Sequence, residues 1–107
     1  MRRRWLPAIL ARIRELAAQR KVEFKLKALR ELATLGMGLD EEDACDVLAN
    51  LTTSDFVERV GSKKTGEWMY AFKPTVGEVI CYVKVILRSD CVVISFHEEE
   101  DQSDEDD

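Results

Sequence analysis

Tyr82, Lys84, Ser95 and His97 put a phenol, an ammonium, a hydroxyl and the chain's single imidazole into one short stretch of sequence. They stand in two runs rich in β-branched residues that flank a polar Ser89-Asp90, the pattern of a β-hairpin. A two-residue turn there sets Arg88 opposite Cys91, Ile86 opposite Val93, Lys84 opposite Ser95 and Tyr82 opposite His97. Directly opposed side chains share a face, with Cβ atoms about 4.5–5.5 Å apart. The spacing therefore predicts one patch that can bind a phosphate and move protons. The imidazole gives or takes a proton near neutrality, the phenol donates to a phosphate oxygen or stacks on a base, and Lys84 neutralises charge. Each residue alone has a plainer explanation: an inert histidine at a strand end, a tyrosine packing across strands, a lysine lying along the sheet. The opposition of Tyr82 and His97 favours the chemical reading.

Other residues extend the patch. Lys63 and Lys64, between Gly61 and Gly66, form a basic turn able to track a nucleic-acid backbone or simply to keep a hairpin tip soluble. Glu58 and Arg59 follow Ser54-Asp55-Phe56 and are expected to reach the same patch, where a Glu58–His97 pair would hold the imidazole charged. Trp68, Tyr70 and Phe72 alternate along a strand and read as core.

These residues need a sheet beneath them, and the rest of the chain supplies helices first. Leu6, Ile9, Leu10, Ile13, Leu16 and Ala17 recur at helical spacing and predict a helix over Leu6–Gln19. Residues 21–24 read as a short strand or connector. Leu26, Leu29, Leu32 and Ala33 mark a second helix ending at Gly36. Asp40 is the N-cap of a third, with Glu41, Glu42 and Asp43 in its first turn and Ala44, Val47, Leu48 and Leu51 as its apolar stripe. A short turn at residues 53–56, strands over 57–62 and 67–72, a turn at Pro74–Gly77 and the two long strands complete the order. Helices precede antiparallel strands, so the class is α+β.

The 107 residues make one domain, here residues 1–97, with 98–107 as an acidic disordered tail. That tail carries eight of the 21 acids, and the remaining 13 face 16 Lys and Arg. Residues 1–30 hold ten of those bases and only Glu15 and Glu23 as acids. A basic domain of this kind points to a polyanion or an acidic partner, unless the charges only solvate a helix face. The tail either solubilises the terminus or competes for the basic face. No apolar run reaches the length of a membrane span, and the basic start reads as a helix beginning rather than a signal peptide. Cys45, Cys81 and Cys91 lie in apolar segments and read as reduced core thiols of a cytoplasmic protein. No Cys/His spacing suggests a zinc site, so neither metal nor cofactor is expected.

The run 46–56, ending in Ser54-Asp55-Phe56, resembles the MqsR family of bacterial toxins. So do Trp68, Lys73-Pro74, Gly77-Glu78-Val79, Tyr82-Val83-Lys84-Val85 and Val92-Val93-Ile94-Ser95-Phe96. The resemblance implies a RelE-like fold, with N-terminal helices packed on a small antiparallel sheet. It implies an mRNA endoribonuclease that works without metal or ribosome and is held inactive by a cognate antitoxin, with DNA approached only through that antitoxin. Tyr82 matches the family's active-site tyrosine. Glu58 stands where better known members have a lysine, Met69 where they have a glutamine, His97 where a lysine closes the last strand, and Lys73 where an arginine precedes proline. Related RelE-like nucleases often place a proton-donating histidine near the end of the last strand, where His97 lies. On this reading His97 is the acid, Tyr82 positions the phosphate, Lys84 and a lysine of the 63–64 turn supply positive charge, and Glu58 is the base. Arg59 and Lys73 join Lys63 and Lys64 as RNA-binding residues. A non-catalytic module that binds its antitoxin or RNA is the alternative.

Overall fold

A computed structural model describes residues 3–99. Helix α1 (Leu6–Ala18) begins with Pro7 in its first turn, where a missing N–H costs nothing. It ends on Arg20, a non-glycine residue at φ 62. There Arg20 N–H donates to the Ala17 carbonyl and Lys21 N–H to that of Leu16, closing the helix end. The left-handed Arg20 is held by its own side chain, which donates to Glu42 and Asp46 at 2.9 Å each and so ties α1 to the third helix. Strand β1 (Val22–Phe24) and helix α2 (Leu26–Thr34) follow. Helix α3 (Glu41–Ala49) opens on a reciprocal cap between Asp40 and Asp43, as the sequence predicts.

After a 3₁₀ turn at Thr53–Asp55 come β2 (Phe56–Gly61), β3 (Trp68–Phe72), β4 (Thr75–Val76), β5 (Val79–Leu87) and β6 (Cys91–Glu98). The sheet runs β1-β6-β5-β3-β2, with β4 paired to β5. Only β1 lies parallel to its neighbour, β6; every other pairing is antiparallel. The fold is α+β, and each predicted helix and strand is present within a residue or two of its expected bounds. Among the described residues no helix is long and apolar enough to cross a membrane.

The helices pack on one face of the sheet. Leu10, Ile13, Leu16 and Leu48 bury against Phe72, Val83, Val93 and Phe96 in a single core. Strand alternation then sends Tyr82, Lys84, Ser95 and His97 to the other face, away from that core.

Two details of register differ from the sequence-based expectation. The β5–β6 turn has three residues, Arg88-Ser89-Asp90, so Leu87 opposes Cys91 and Ile86 opposes Val92. A one-residue slip of this kind swaps faces along the whole strand. A bulge at Ile94 reverses it, and Lys84 again opposes Ser95 and Tyr82 opposes His97. The C-terminal boundary also moves: β6 runs to Glu98, and Glu99 is bonded to Lys73, so the acidic segment begins inside the folded unit. The remainder of the expected tail, 100–107, lies outside the described residues.

Candidate active site

The hairpin brings the two rings together. Tyr82 and His97 stack with centroids 5.3 Å apart and planes 27° from parallel. Lys84 Nζ lies 5.7 Å from the Tyr82 ring centroid. His97 Nδ1 is 2.8 Å from the Glu98 carbonyl oxygen. A carbonyl only accepts, so Nδ1 carries the hydrogen and Nε2 is the nitrogen left for chemistry. Neutral, Nε2 accepts a proton; in the imidazolium it donates one.

Glu58 reaches the same face by a second bulge. Between Phe56 and Glu58 the β2–β3 register shifts, and Glu58 then opposes Ala71, which in turn opposes Lys84. One row across the sheet therefore reads Glu58, Ala71, Lys84, Ser95. Ala71 is buried, and its methyl group is the floor between the carboxylate and the ammonium. Glu58 is exposed and, among the described residues, joins no ion pair. A direct Glu58–His97 pair, which the sequence leaves open, is not made, because β3 and β5 separate their strands by three spacings, about 14 Å between backbones. Their side chains flank an open stretch of sheet rather than touching. The Tyr82 phenol is pushed above its ordinary value by burial and, secondarily, by the negative charge of Glu58. At neutral pH it is a hydrogen-bond donor.

The other expected residues divide. Lys73 lies one step beyond the last β3–β5 pair, Phe72 with Val83, beside Tyr82. Its Nζ is 2.8 Å from Glu99, so it reaches the patch already neutralised. Lys63 and Lys64 do not reach it. Their turn sits at the opposite end of the sheet, anchored by Arg88 to Glu67 at 2.7 and 2.9 Å. Five residues of β5, about 17 Å, separate Leu87 at that end from Tyr82. Arg59 is on the wrong face, since it opposes core-facing Tyr70. Its guanidinium is stacked between Trp5 at 4.1 Å and Trp68 at 3.9 Å. Trp68 itself is about half exposed rather than core, because it stacks on Arg59 at the sheet's rim.

One group in the site has no counterpart in the sequence-based reading. Lys27, from α2, donates to Ser95 Oγ at 2.9 Å and pairs with Glu31 at 2.8 Å. Strand β1 stops opposite Val93, leaving the outer edge of β6 unpaired beyond it. Glu31 fills that gap by accepting the Phe96 N–H at 2.8 Å. The signal available in sequence was the Lys27/Glu31 spacing of four on a short helix, but nothing in it says that the helix lies along β6.

Among the described residues no three His, Cys, Asp or Glu side chains converge as a metal site. The patch holds the Glu58 carboxylate, a phenol, an imidazole nitrogen and three lysines, Lys84, Lys27 and the Glu99-paired Lys73, an array that can meet successive phosphates. The family model for the motility quorum-sensing regulator, toxin of MqsA, matches residues 8–98. No curated protein matches the chain at a significant level.

Proposed function

The chain belongs to the MqsR toxin family, whose antitoxin partner is MqsA, and from that premise we propose that it is a metal-independent endoribonuclease that cuts mRNA and is neutralised by a cognate antitoxin. The observation that carries the proposal is the Tyr82–His97 stack beside Lys84, with Glu58 across the same face. RNA brings its own nucleophile, the 2′-hydroxyl. Glu58 takes the proton of that hydroxyl as its oxygen attacks the neighbouring phosphorus. His97 Nε2 delivers a proton to the departing 5′-oxygen. The products are a 2′,3′-cyclic phosphate and a 5′-hydroxyl. Tyr82 and Lys84 stabilise the charge that builds on the phosphoryl oxygens, and each well-placed acid or base is worth about 10²–10⁴ in rate.

The test is purified chain incubated with single-stranded RNA in EDTA. Cleavage leaving cyclic-phosphate ends supports the reading, with His97→Ala losing most of it while still binding RNA. The absence of the family lysines at Glu58 and His97 favours one rival, a module that binds without cutting. RNA that stays whole while bound, with affinity falling as salt rises, would favour that rival.

A further inference from the structure

We propose that Lys27 is a substrate-binding residue, taking an RNA phosphate adjacent to the one being cut. The proposal rests on the ribonuclease reading of the sheet face. A lysine ammonium has three N–H donors. One goes to Ser95 Oγ and one to Glu31; among the described residues the third has no acceptor, and the side chain is 66% exposed. The head group is therefore fixed at two points and open at the third. Being held in place reduces the side-chain freedom that binding would otherwise remove, which favours a pre-positioned contact over a freely moving surface lysine.

Its position selects the phosphate. Ser95 opposes Lys84, and His97 lies two residues further along β6, about 7 Å away. The Tyr82–His97 row holds the acid and the phosphate donor. Ser95, which holds Lys27 at the α2 edge of β6, is displaced from His97 along the strand by roughly the length of one nucleotide in an extended chain, whereas Lys84 leans back toward the Tyr82 ring, 5.7 Å from its centroid. A phosphate at His97 therefore leaves its neighbour within reach of Lys27. Glu31 does not cancel this role. Its other oxygen is committed to the Phe96 N–H, so its carboxylate acts as a fixed bracket between helix and strand.

The probe is a fully 2′-O-methylated single-stranded RNA, which binds but offers no nucleophile. Its affinity is measured over a range of salt for wild type, Lys27→Ala, Lys27→Arg and Arg12→Ala. Arg12 is an exposed base on α1, paired with Glu15 on the helix side of the fold. Losing one phosphate contact flattens the log–log salt dependence by about 0.7 for a single strand. We expect that change in Lys27→Ala, with a two- to fivefold weaker affinity, about the size of one exposed ion pair. Lys27→Arg retains the slope, and Arg12→Ala does not alter it. On cleavable RNA, Lys27→Ala raises KM and spares kcat, and a dinucleotide with a single phosphodiester is cut equally by both proteins. A purely structural Lys27 lowers the unfolding temperature but leaves the slope intact. An unchanged slope, or a wild type with no salt-dependent binding, overturns the proposal. If the slope shifts but no variant or wild type cuts RNA, the ribonuclease reading fails and the phosphate contact stands.

Discussion

If His97 is the general acid, its removal should matter only when the leaving group needs a proton. His97→Ala deletes a ring whose Nδ1 is tied to the Glu98 carbonyl and whose Nε2 alone is free. The structural cost is small. The stack on Tyr82 at 5.3 Å is worth on the order of 1 kcal/mol, so the variant stays folded. The catalytic cost on RNA is about 10²–10⁴ in kcat, equivalent to about 2.7–5.5 kcal/mol of barrier. A nucleoside 3′-(4-nitrophenyl) phosphate reacts through the same 2′-hydroxyl but releases a phenolate that departs without protonation. On that substrate, read by nitrophenolate absorbance under single-turnover conditions, the deficit of His97→Ala should fall below about tenfold. Glu58→Gln should instead lose activity on both substrates, because both require deprotonation of the nucleophile. An equal deficit for His97→Ala on RNA and on the activated ester would refute the assignment and move His97 to the base or to a positioning role.

Burial and Glu58 hold the Tyr82 phenol above the ordinary tyrosine value of 10.0. A raised value means that the favourable contribution is complete below the unfolded tyrosine range and is lost as pH rises through the folded one. Ultraviolet titration of wild type minus Tyr82→Phe should place this ionisation above the ordinary tyrosine value, and Glu58→Gln should lower it in part; an unraised ionisation would contradict the phenol's burial, and no change in Glu58→Gln would separate Glu58 from Tyr82. Burial pushes the Cys91 thiol up to about 12 and raises Cys81 and Cys45 as well. Thiol reagents at neutral pH should therefore label the native chain only as fast as it unfolds, and rapid labelling of Cys91 would contradict its packing. Glu99→Gln frees Lys73 from a pair whose side chains are both about one-third exposed. RNA affinity at low salt should rise about two- to fivefold and the gain should disappear near 0.5 M salt; no gain would take Lys73 out of the RNA path.

Much of the fold was legible because its signals are local. The apolar stripe of α1, the Asp40 cap of α3 and the alternation of β5 each act within a few residues. The pairing of Tyr82 with His97 was legible for a less direct reason. The expected two-residue turn and the observed three-residue turn differ by one, and the Ile94 bulge removes that one before Ser95. A bulge leaves no residue signature in a run such as Val92-Val93-Ile94, where every member suits a strand. What failed was long-range: whether Arg59 faces the core or the patch depends on the bulge at Val57, and where Lys63 and Lys64 lie depends on the length of β5. Lys27 was invisible because α2 meets β6 across a separation of 68 residues.

The same geometry makes the two halves of the site unequal. His97 stands on β6, which has β5 on one side and, on the other, first β1 and then the Glu31 bracket. Its ring is fixed at Nδ1 and stacked on Tyr82, so the proposed acid is preorganised. Glu58 stands on β2, the edge strand, beside a bulge, exposed and, among the described residues, without an ion-pair partner. Edge segments with few contacts open at lower free energy than central strands. The proposed base is therefore the less constrained partner, with more ordering left to do on binding. On the proposed mechanism, that asymmetry fits a sequence in which Lys84 and Tyr82 hold the phosphate first, beside the fixed His97 ring, and the Glu58 carboxylate closes on the 2′-hydroxyl afterwards. It also locates the effect of the Val57 bulge: in a strand paired regularly from Phe56, Glu58 would share the core-facing side of Phe56 and the proposed acid would lack its base.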